Sequence, residues 1–318
     1  MIIDMHVHLI GMREENGCLI GKKLLRGPAY HILTRALGLG GVPREKLDDA
    51  YADRLIAWAK LSELDGLGIL AFDGVYDSSG KLDAQRTQFL VGNDYCLEVC
   101  ERSPLLFPIC SINPMREDDI DELERVVEAG TIAIKMLPNS QGFDPGDEAF
   151  KAFWQKMADL GVPLLSHTSF EHTIPPIDQA YGKPERLRLP LEQGVTVIAA
   201  HCAGAGTAHP FREDFDTWHG MLEEHENLWG DISAMASISR YQYIHRVLAS
   251  ELACERVVMG SDFPVPANPI VFLRQLGWAE VRRLSKIENP FARNAAIFRA
   301  LGVSEEIMKR GATLLGLA

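Results

Sequence analysis

Eight short runs rich in Ile, Val and Leu punctuate this chain, at residues 2–9, 68–72, 106–111, 132–137, 163–167, 196–200, 228–232 and 256–260. Most are continuously apolar rather than alternating, so they read as strands buried on both faces, as in a parallel sheet. Between them lie longer stretches with helical spacing. In 47–64, for example, Leu47, Tyr51, Leu55, Trp58 and Leu61 recur along one face. Others cover 85–101, 118–128, 148–160, 241–253, 269–275 and 290–301. Eight strand–helix units in 318 residues fit a closed (β/α)8 TIM barrel better than a doubly wound sheet. No linker, internal repeat or low-complexity tract divides the chain, so residues 1–318 read as one domain.

The polar residues gather where a barrel does chemistry. His6, His8, Asn113, Lys135, His167, His201, Asp231 and Asp262 all fall within or just after the C-terminal end of a strand. That end is the catalytic face of such barrels. Two insertions stand out. Residues 11–44 are Gly-rich and mixed in polarity, and are expected to fold over the mouth as a lid or substrate wall. Residues 168–188 are irregular and hold Pro175, Pro176 and Pro184.

The sharpest local signal is D-M-H-V-H, Asp4 to His8. Residues two apart on a strand face the same side, so both imidazoles can look into the barrel. Two rings that close are costly in a dry interior unless something uses their lone pairs, and a metal ion does. A satisfied core pair is the competing reading of the motif alone. Its weight rises because PLLSHTS ends the fifth strand in His167, VIAAHCAG ends the sixth in His201, and VVMGSDFPVP places Asp262 just past the eighth. An N-cap is the alternative for Asp262. Imidazoles and a carboxylate drawn from several strands make a site typical of catalytic zinc, with one position left for water.

These residues make the sequence similar to the amidohydrolase superfamily, specifically its amidohydrolase-2 branch. That branch includes aminocarboxymuconate semialdehyde decarboxylase, related aromatic-acid decarboxylases and lactone hydrolases. The matching pieces are IIDMHVH, GTIAIKMLP, PLLSHTS, VIAAHCAG and VVMGSDFP, together with KIENPFARNAAIFRAL, which looks like the family's terminal Asn-containing helix. The resemblance implies a divalent metal, Zn2+ foremost, held by His6, His8, His167 and Asp262. It implies that Asp262 also moves protons, and that His201 is catalytic, either as a second-metal ligand or as a hydrogen-bond donor. Lys135 is the open position. A strand-four lysine is carbamylated in some amidohydrolases and bridges two ions, but this branch favours one, with a plain ammonium pairing to Asp231 or a substrate carboxylate.

The leading expectation is hydrolysis of an ester, lactone or amide by a metal-activated water, with Asp262 as proton shuttle. The alternative is non-oxidative decarboxylation of an unsaturated or aromatic acid. That route needs an arginine near the metal and aromatic side chains around the ring, for which Arg240, Phe170, Trp229 and Tyr241 are the candidates. Arg240, His209, Glu171 and His172 are expected to contact substrate, and Asp231 to orient a ligand histidine. A catalytically dead barrel serving as a binding module conflicts with the intact ligand set. His31, His219, His225 and His245 read as surface or capping residues.

Charge and cysteine usage bound the partners. The formal charge of −12 opposes binding to nucleic acid. No run of 18 apolar residues offers a membrane span, and the N-terminus lacks the pattern of a signal peptide. The six cysteines show no metal or disulfide spacing and read as reduced thiols in a cytoplasmic setting. A small-molecule substrate is the expected partner, and a homodimer is a family-level expectation.

Overall fold

The eight apolar runs form eight parallel strands: β1 (Ile3–His8), β2 (Gly66–Leu70), β3 (Leu106–Ser111), β4 (Ala133–Met136), β5 (Leu164–Ser166), β6 (Val197–Ala199), β7 (Leu228–Asp231) and β8 (Val257–Val258). In this computed structural model, which describes residues 1–21, 24–25, 34–35, 37–206 and 213–317, they pair in sequence order. The segment after β8 returns to β1 and closes the ring. Met5 N–H donates to Met259 O at 3.4 Å, Asp262 N–H to His6 O at 2.9 Å, and His8 N–H to Phe263 O at 2.8 Å. The fold is a (β/α)8 TIM barrel.

Between Asp4 and Val7, β1 advances three residues while β2 advances two, from Leu67 to Ile69. This bulge re-aims the strand at the point where the two histidines begin. Met5, Leu70, Ile109, Ala133, Leu165, Ile198 and Val258 fill the barrel, and Leu315 from beyond the last helix joins them. The apolar floor is therefore closed from below by the C-terminus, and polar groups are left to the opposite end.

Around the sheet run α1 (Leu47–Leu61), α2 (Asn93–Glu101), α3 (Asp119–Glu128), α4 (Lys151–Asp159), α5 (Glu213–Glu224), α6 (Tyr241–Leu248), α7 (Leu273–Ser285), α8 (Pro290–Ala300) and α9 (Glu305–Leu314). Their inner faces bury Trp154, Trp218, Tyr51, Tyr243 and Phe298 almost completely. Each side chain of that size stabilises by roughly 1.5–3 kcal/mol when withdrawn from water. Asn289 starts α8 by accepting from Phe291 N–H and Ala292 N–H, and its amide also donates to Trp58 O at 2.8 Å.

Several boundaries differ from the periodicity. The stretch 85–101 is not one helix: Phe89–Leu90 is a strand antiparallel to Leu19–Ile20, and α2 begins only at Asn93. Gly92 separates them because a Cβ there would lie 2.7 Å from Asn16 O. The first helix stops at Leu61, where extended Ser62 turns its hydroxyl onto Ala59 O. The stretch 241–253 breaks because Ser250 caps a second short helix, Glu251–Glu255. That at 269–275 continues to Ser285 through a bend at Gly277, which has φ +73.

Part of the 11–44 insertion lies outside the described residues. Its described beginning is tied to α1, where the buried Asp48 carboxylate accepts from Met12 N–H at 2.8 Å, Arg13 N–H at 3.1 Å and Asn16 Nδ2 at 2.9 Å. No described helix is long and apolar enough to cross a membrane. All six cysteines are free thiols.

Candidate metal centre at the barrel mouth

The return of the β8 segment onto β1 brings one carboxylate against two imidazoles. Asp262, at φ +64, places Oδ1 3.3 Å from His6 Nε2 and 3.1 Å from His8 Nε2. One ligand atom from each of these residues lies within 4.8 Å of the other two. Two atoms bound to one zinc ion at about 2.0–2.1 Å in tetrahedral array are about 3.3–3.4 Å apart. The spacing is that of ligands around a single ion.

Proton positions sharpen this. His6 Nδ1 lies 2.7 Å from Asp231 Oδ2, and both side chains are buried. A carboxylate oxygen can only accept, so Nδ1 carries the proton and Nε2 is a lone pair. Nε2 therefore faces Asp262 Oδ1 as one acceptor facing another, an arrangement that calls for a cation. Lys135, itself buried, offers one, with Nζ 3.4 Å from His6 Nε2.

The electrostatics agree. Burial holds the His6, His167 and His201 rings below the ordinary histidine value, so all three are neutral at pH 7. Burial alone would raise Asp262, but the hydrogen bond from His8, the proximity of the His6 and His8 rings and the charge of Arg240 hold its carboxyl far below the usual range. Burial also pushes the Lys135 ammonium down to about 8, against the pull of Asp231, Asp262 and Glu171.

His201 stands between the other rings, its centroid 5.4 Å from that of His6 and 5.3 Å from that of His167. Its backbone is left-handed, φ +60, in a run with Cys202 and Ala203 that bends the chain sharply after β6. His167 Nε2 is buried and has no hydrogen-bond partner, with Glu171 Oε2 3.4 Å away. A buried, orphaned imidazole nitrogen beside an acceptor cluster is a second observation that fits an ion. The His6 and His8 imidazoles and the Asp262 carboxylate, with the orphaned His167 nitrogen nearby, form a donor set suited to a divalent cation.

Arg240 is 7% exposed, and its Nε donates to Gly204 O at 2.8 Å. It makes no ion pair among the described residues, yet its charge is felt by Lys135, His167, His201 and Asp262. Lys135 likewise forms no direct ion pair with Asp231, because that carboxylate is already held by His6 and by the chain around Ser233.

His6, His8 and Asp262 thus meet directly; His201 adjoins His6, and His167 adjoins His201. Glu171 is buried beside His167, and its Oε1 accepts from Thr173 and Ile174 N–H. His172 is exposed, with its ring 4.5 Å from that of Phe170. His209 and His31 lie outside the described residues. Trp229 is not at the mouth: it packs against the apolar cluster that fills the barrel, two residues before Asp231 on β7. Tyr241 packs edge-on to Phe272 at 6.1 Å. Asn113 is structural, with its amide donating to Gly74 O and Gln141 O.

Two groups escaped the sequence reading. Asp4 lies under the site, accepting from Ser261 N–H at 2.8 Å and His6 N–H at 3.2 Å, and burial pushes its carboxyl up to about 7. Ser233 bridges Asp231 and His201.

The family model described as Amidohydrolase matches residues 3–286. A comparison with curated protein sequences gives no match. Among solved structures, an uncharacterised TIM-barrel protein from Bordetella bronchiseptica is 15% identical with a TM-score of 0.65, covering 99% of each chain. 5-Carboxyvanillate decarboxylase from Sphingomonas paucimobilis is 14% identical with a TM-score of 0.61, covering 100% of this chain and 99% of its own. A putative 2-pyrone-4,6-dicarboxylic acid hydrolase from Pseudomonas putida is 14% identical with a TM-score of 0.56, covering 99% and 97%. At these identities the likeness speaks for the fold.

Proposed function

This chain belongs to the amidohydrolase family, metal-dependent enzymes that act as hydrolases or decarboxylases, and we propose that it hydrolyses an ester, lactone or amide that carries a carboxylate. The observation that carries this reading is Asp262 Oδ1, an anionic oxygen within 3.3 Å of both ring nitrogens of the H-x-H motif. His6, His8, His167 and Asp262 would hold the metal, Zn2+ foremost. The ion would supply polarisation of the scissile carbonyl and activation of water near neutral pH.

The protein's own groups do the rest. Asp262 takes one proton from the water that attacks the carbonyl carbon, then returns it to the leaving oxygen or nitrogen as the C–O or C–N bond breaks. His201 presents Nε2 to the mouth as an acceptor, because its Nδ1 faces only acceptors, which suits the second-metal ligand of the two roles expected from sequence and not the hydrogen-bond donor. Arg240, buried and without a carboxylate partner among the described residues, would hold a substrate carboxylate in two parallel hydrogen bonds. Glu171, His172 and His209 would line the approach, with residues 11–44 as its wall. Lys135 is read as an unmodified amine beside one ion, and its carbamylation would add a second. The free thiols fit a cytoplasmic enzyme.

Decarboxylation is the second reading, favoured by the same Arg240. The aromatic ring of groups it requires is reduced to Phe170, since Trp229 packs against the apolar cluster filling the barrel and Tyr241 packs on Phe272. The names of the Pseudomonas and Sphingomonas proteins, a hydrolase and a decarboxylase, both specify carboxylated substrates. Metal analysis combined with two assays decides. Metal-dependent turnover of carboxylated lactones or esters without CO2 release is the expected result. CO2 release from a carboxylated ring without hydrolysis would overturn it.

A further inference from the structure

Asp231 does more than orient His6. Its Oδ2 accepts a hydrogen bond from His6 Nδ1–H, while Oδ1 accepts from His201 N–H at 2.7 Å, from Ser233 N–H at 3.0 Å and from the Ser233 hydroxyl. The Ser233 Oγ in turn lies 2.7 Å from His201 Nδ1, and the Ser233 carbonyl oxygen lies 3.2 Å from the same nitrogen. Ser233 and Asp231 are both 0% exposed.

Counting protons leaves one arrangement. The serine hydroxyl has a single proton, and it is committed to the carboxylate, which has none to give. Ser233 Oγ therefore meets His201 with a lone pair, and the carbonyl oxygen can only accept. Both demand a proton on His201 Nδ1, so the neutral ring has none on Nε2. The same carboxylate imposes the same tautomer on His6 from its other oxygen.

We infer that Ser233 is a positioning residue that extends the hold of Asp231 from His6 to His201, fixing both rings with their Nε2 lone pairs toward the mouth. One carboxylate at the end of β7 thus sets imidazoles from β1 and from the turn after β6. Because His201 also sits in a left-handed turn whose N–H binds the same Oδ1, backbone and ring are locked together. The inference rests on the mouth being the reaction centre, but its central claim concerns protons and not turnover.

The test is 15N NMR of the full-length protein labelled at histidine, metal-free, with His201 assigned through its loss in His201→Gln. The wild type is expected to show His201 as a single tautomer, protonated at Nδ1. Ser233→Ala keeps the two backbone N–H donors on Asp231 Oδ1, and is expected to fold but to show an average of both tautomers, since only the longer carbonyl contact remains. In the metal-loaded enzyme the same change should lower kcat about 10- to 100-fold with KM little altered, the usual scale for losing an outer-sphere partner. A wild-type ring protonated at Nε2, or a His201 signal unchanged in Ser233→Ala, would overturn the inference. If the tautomers behave as stated but no carboxylated ester, lactone or amide is turned over, the functional reading fails and this one stands.

Discussion

Asp231 Oδ2 lies 2.7 Å from His6 Nδ1 with both side chains out of reach of solvent, so the tautomer of the first histidine of the H-x-H motif is set by a strand two places away around the barrel. Asp231→Asn tests that choice with almost no change of shape. The amide oxygen must stay with the three donors on the Oδ1 side, which turns the NH2 group against His6 Nδ1. His6 can then satisfy it only by moving its proton to Nε2, which removes the lone pair a metal needs. Zinc affinity, measured by chelator competition, is expected to fall at least about 10- to 100-fold. Wild-type affinity in this variant would show that His6 is not a ligand through Nε2.

Asp262→Asn separates chemistry from folding. Its N–H bond to His6 O is made by the backbone and survives the change. The change removes the carboxylate assigned to take the proton from water, and general-base contributions of about 10²- to 10⁴-fold in rate are usual. Activity should drop by at least that factor while the thermal unfolding midpoint and circular dichroism stay close to wild type. Retained turnover would remove Asp262 from the mechanism.

Much of this was legible in the sequence, for physical reasons. Buried parallel strands must be apolar along their length, so all eight were visible, and metal-ligand residue types at strand ends are rare enough to be noticed in Asp262 and His167. Closure of the ring by Met259 to Phe263 on β1 was not legible, because backbone hydrogen bonds carry no residue signature. Nor was Ser233, whose role depends on the direction of one hydroxyl proton. Helix ends at Ser62 and Ser250 were misplaced because a serine cap overrides a periodic pattern that continues past it. Trp229 was a candidate on residue type alone; it shares a strand face with Asp231 but lies two residues earlier on β7, where it packs against the apolar cluster filling the barrel.

Arg240→Met should act on binding rather than on the chemical step. The guanidinium is buried with a single described hydrogen bond, Nε to Gly204 O, and the methionine fills similar volume without charge. Hydrogen bonds to charged groups contribute about 1.5–3 kcal/mol, which corresponds to a rise in KM of about 10- to 150-fold for carboxylated substrates. Uncharged analogues should be handled about equally by both proteins. An equal loss for charged and uncharged substrates would mean that Arg240 serves the fold.

Acid sensitivity should owe part of its size to Glu122 on α3. Burial alone would raise this carboxyl, but hydrogen bonds from Arg125 (2.7 and 2.9 Å) and from Asn93 (2.7 Å) hold it below the ordinary glutamate value. A folded-state value below the unfolded one means stability that is full above the unfolded value and lost as pH falls through the folded one. Glu122→Gln should therefore lower the urea midpoint at pH 7 and narrow its gap to wild type as the pH drops below about 4. A gap independent of pH would assign the effect to packing.

The thiols give a prediction free of any substrate. Burial pushes Cys18 up to about 11 and raises Cys110 and Cys202 as well, while Cys96 is raised first by its side-chain hydrogen bond with Cys100 and then by burial. Thiolate is the reactive form, and a thiol with a value near 11 is roughly one part in a thousand thiolate at pH 8. Access is a second barrier, since five of the six cysteines are buried and Cys254 alone is intermediate. Reaction with a disulfide reagent at pH 8 should therefore give at most one equivalent in a fast phase, absent in Cys254→Ser, with the others appearing only at the rate of unfolding. Metal-stripped protein should behave the same way, because no cysteine touches the ligand cluster of His6, His8 and Asp262. Several fast thiols in the folded protein would mean that the helices covering Cys96 and Cys100 open far more readily than their packing allows.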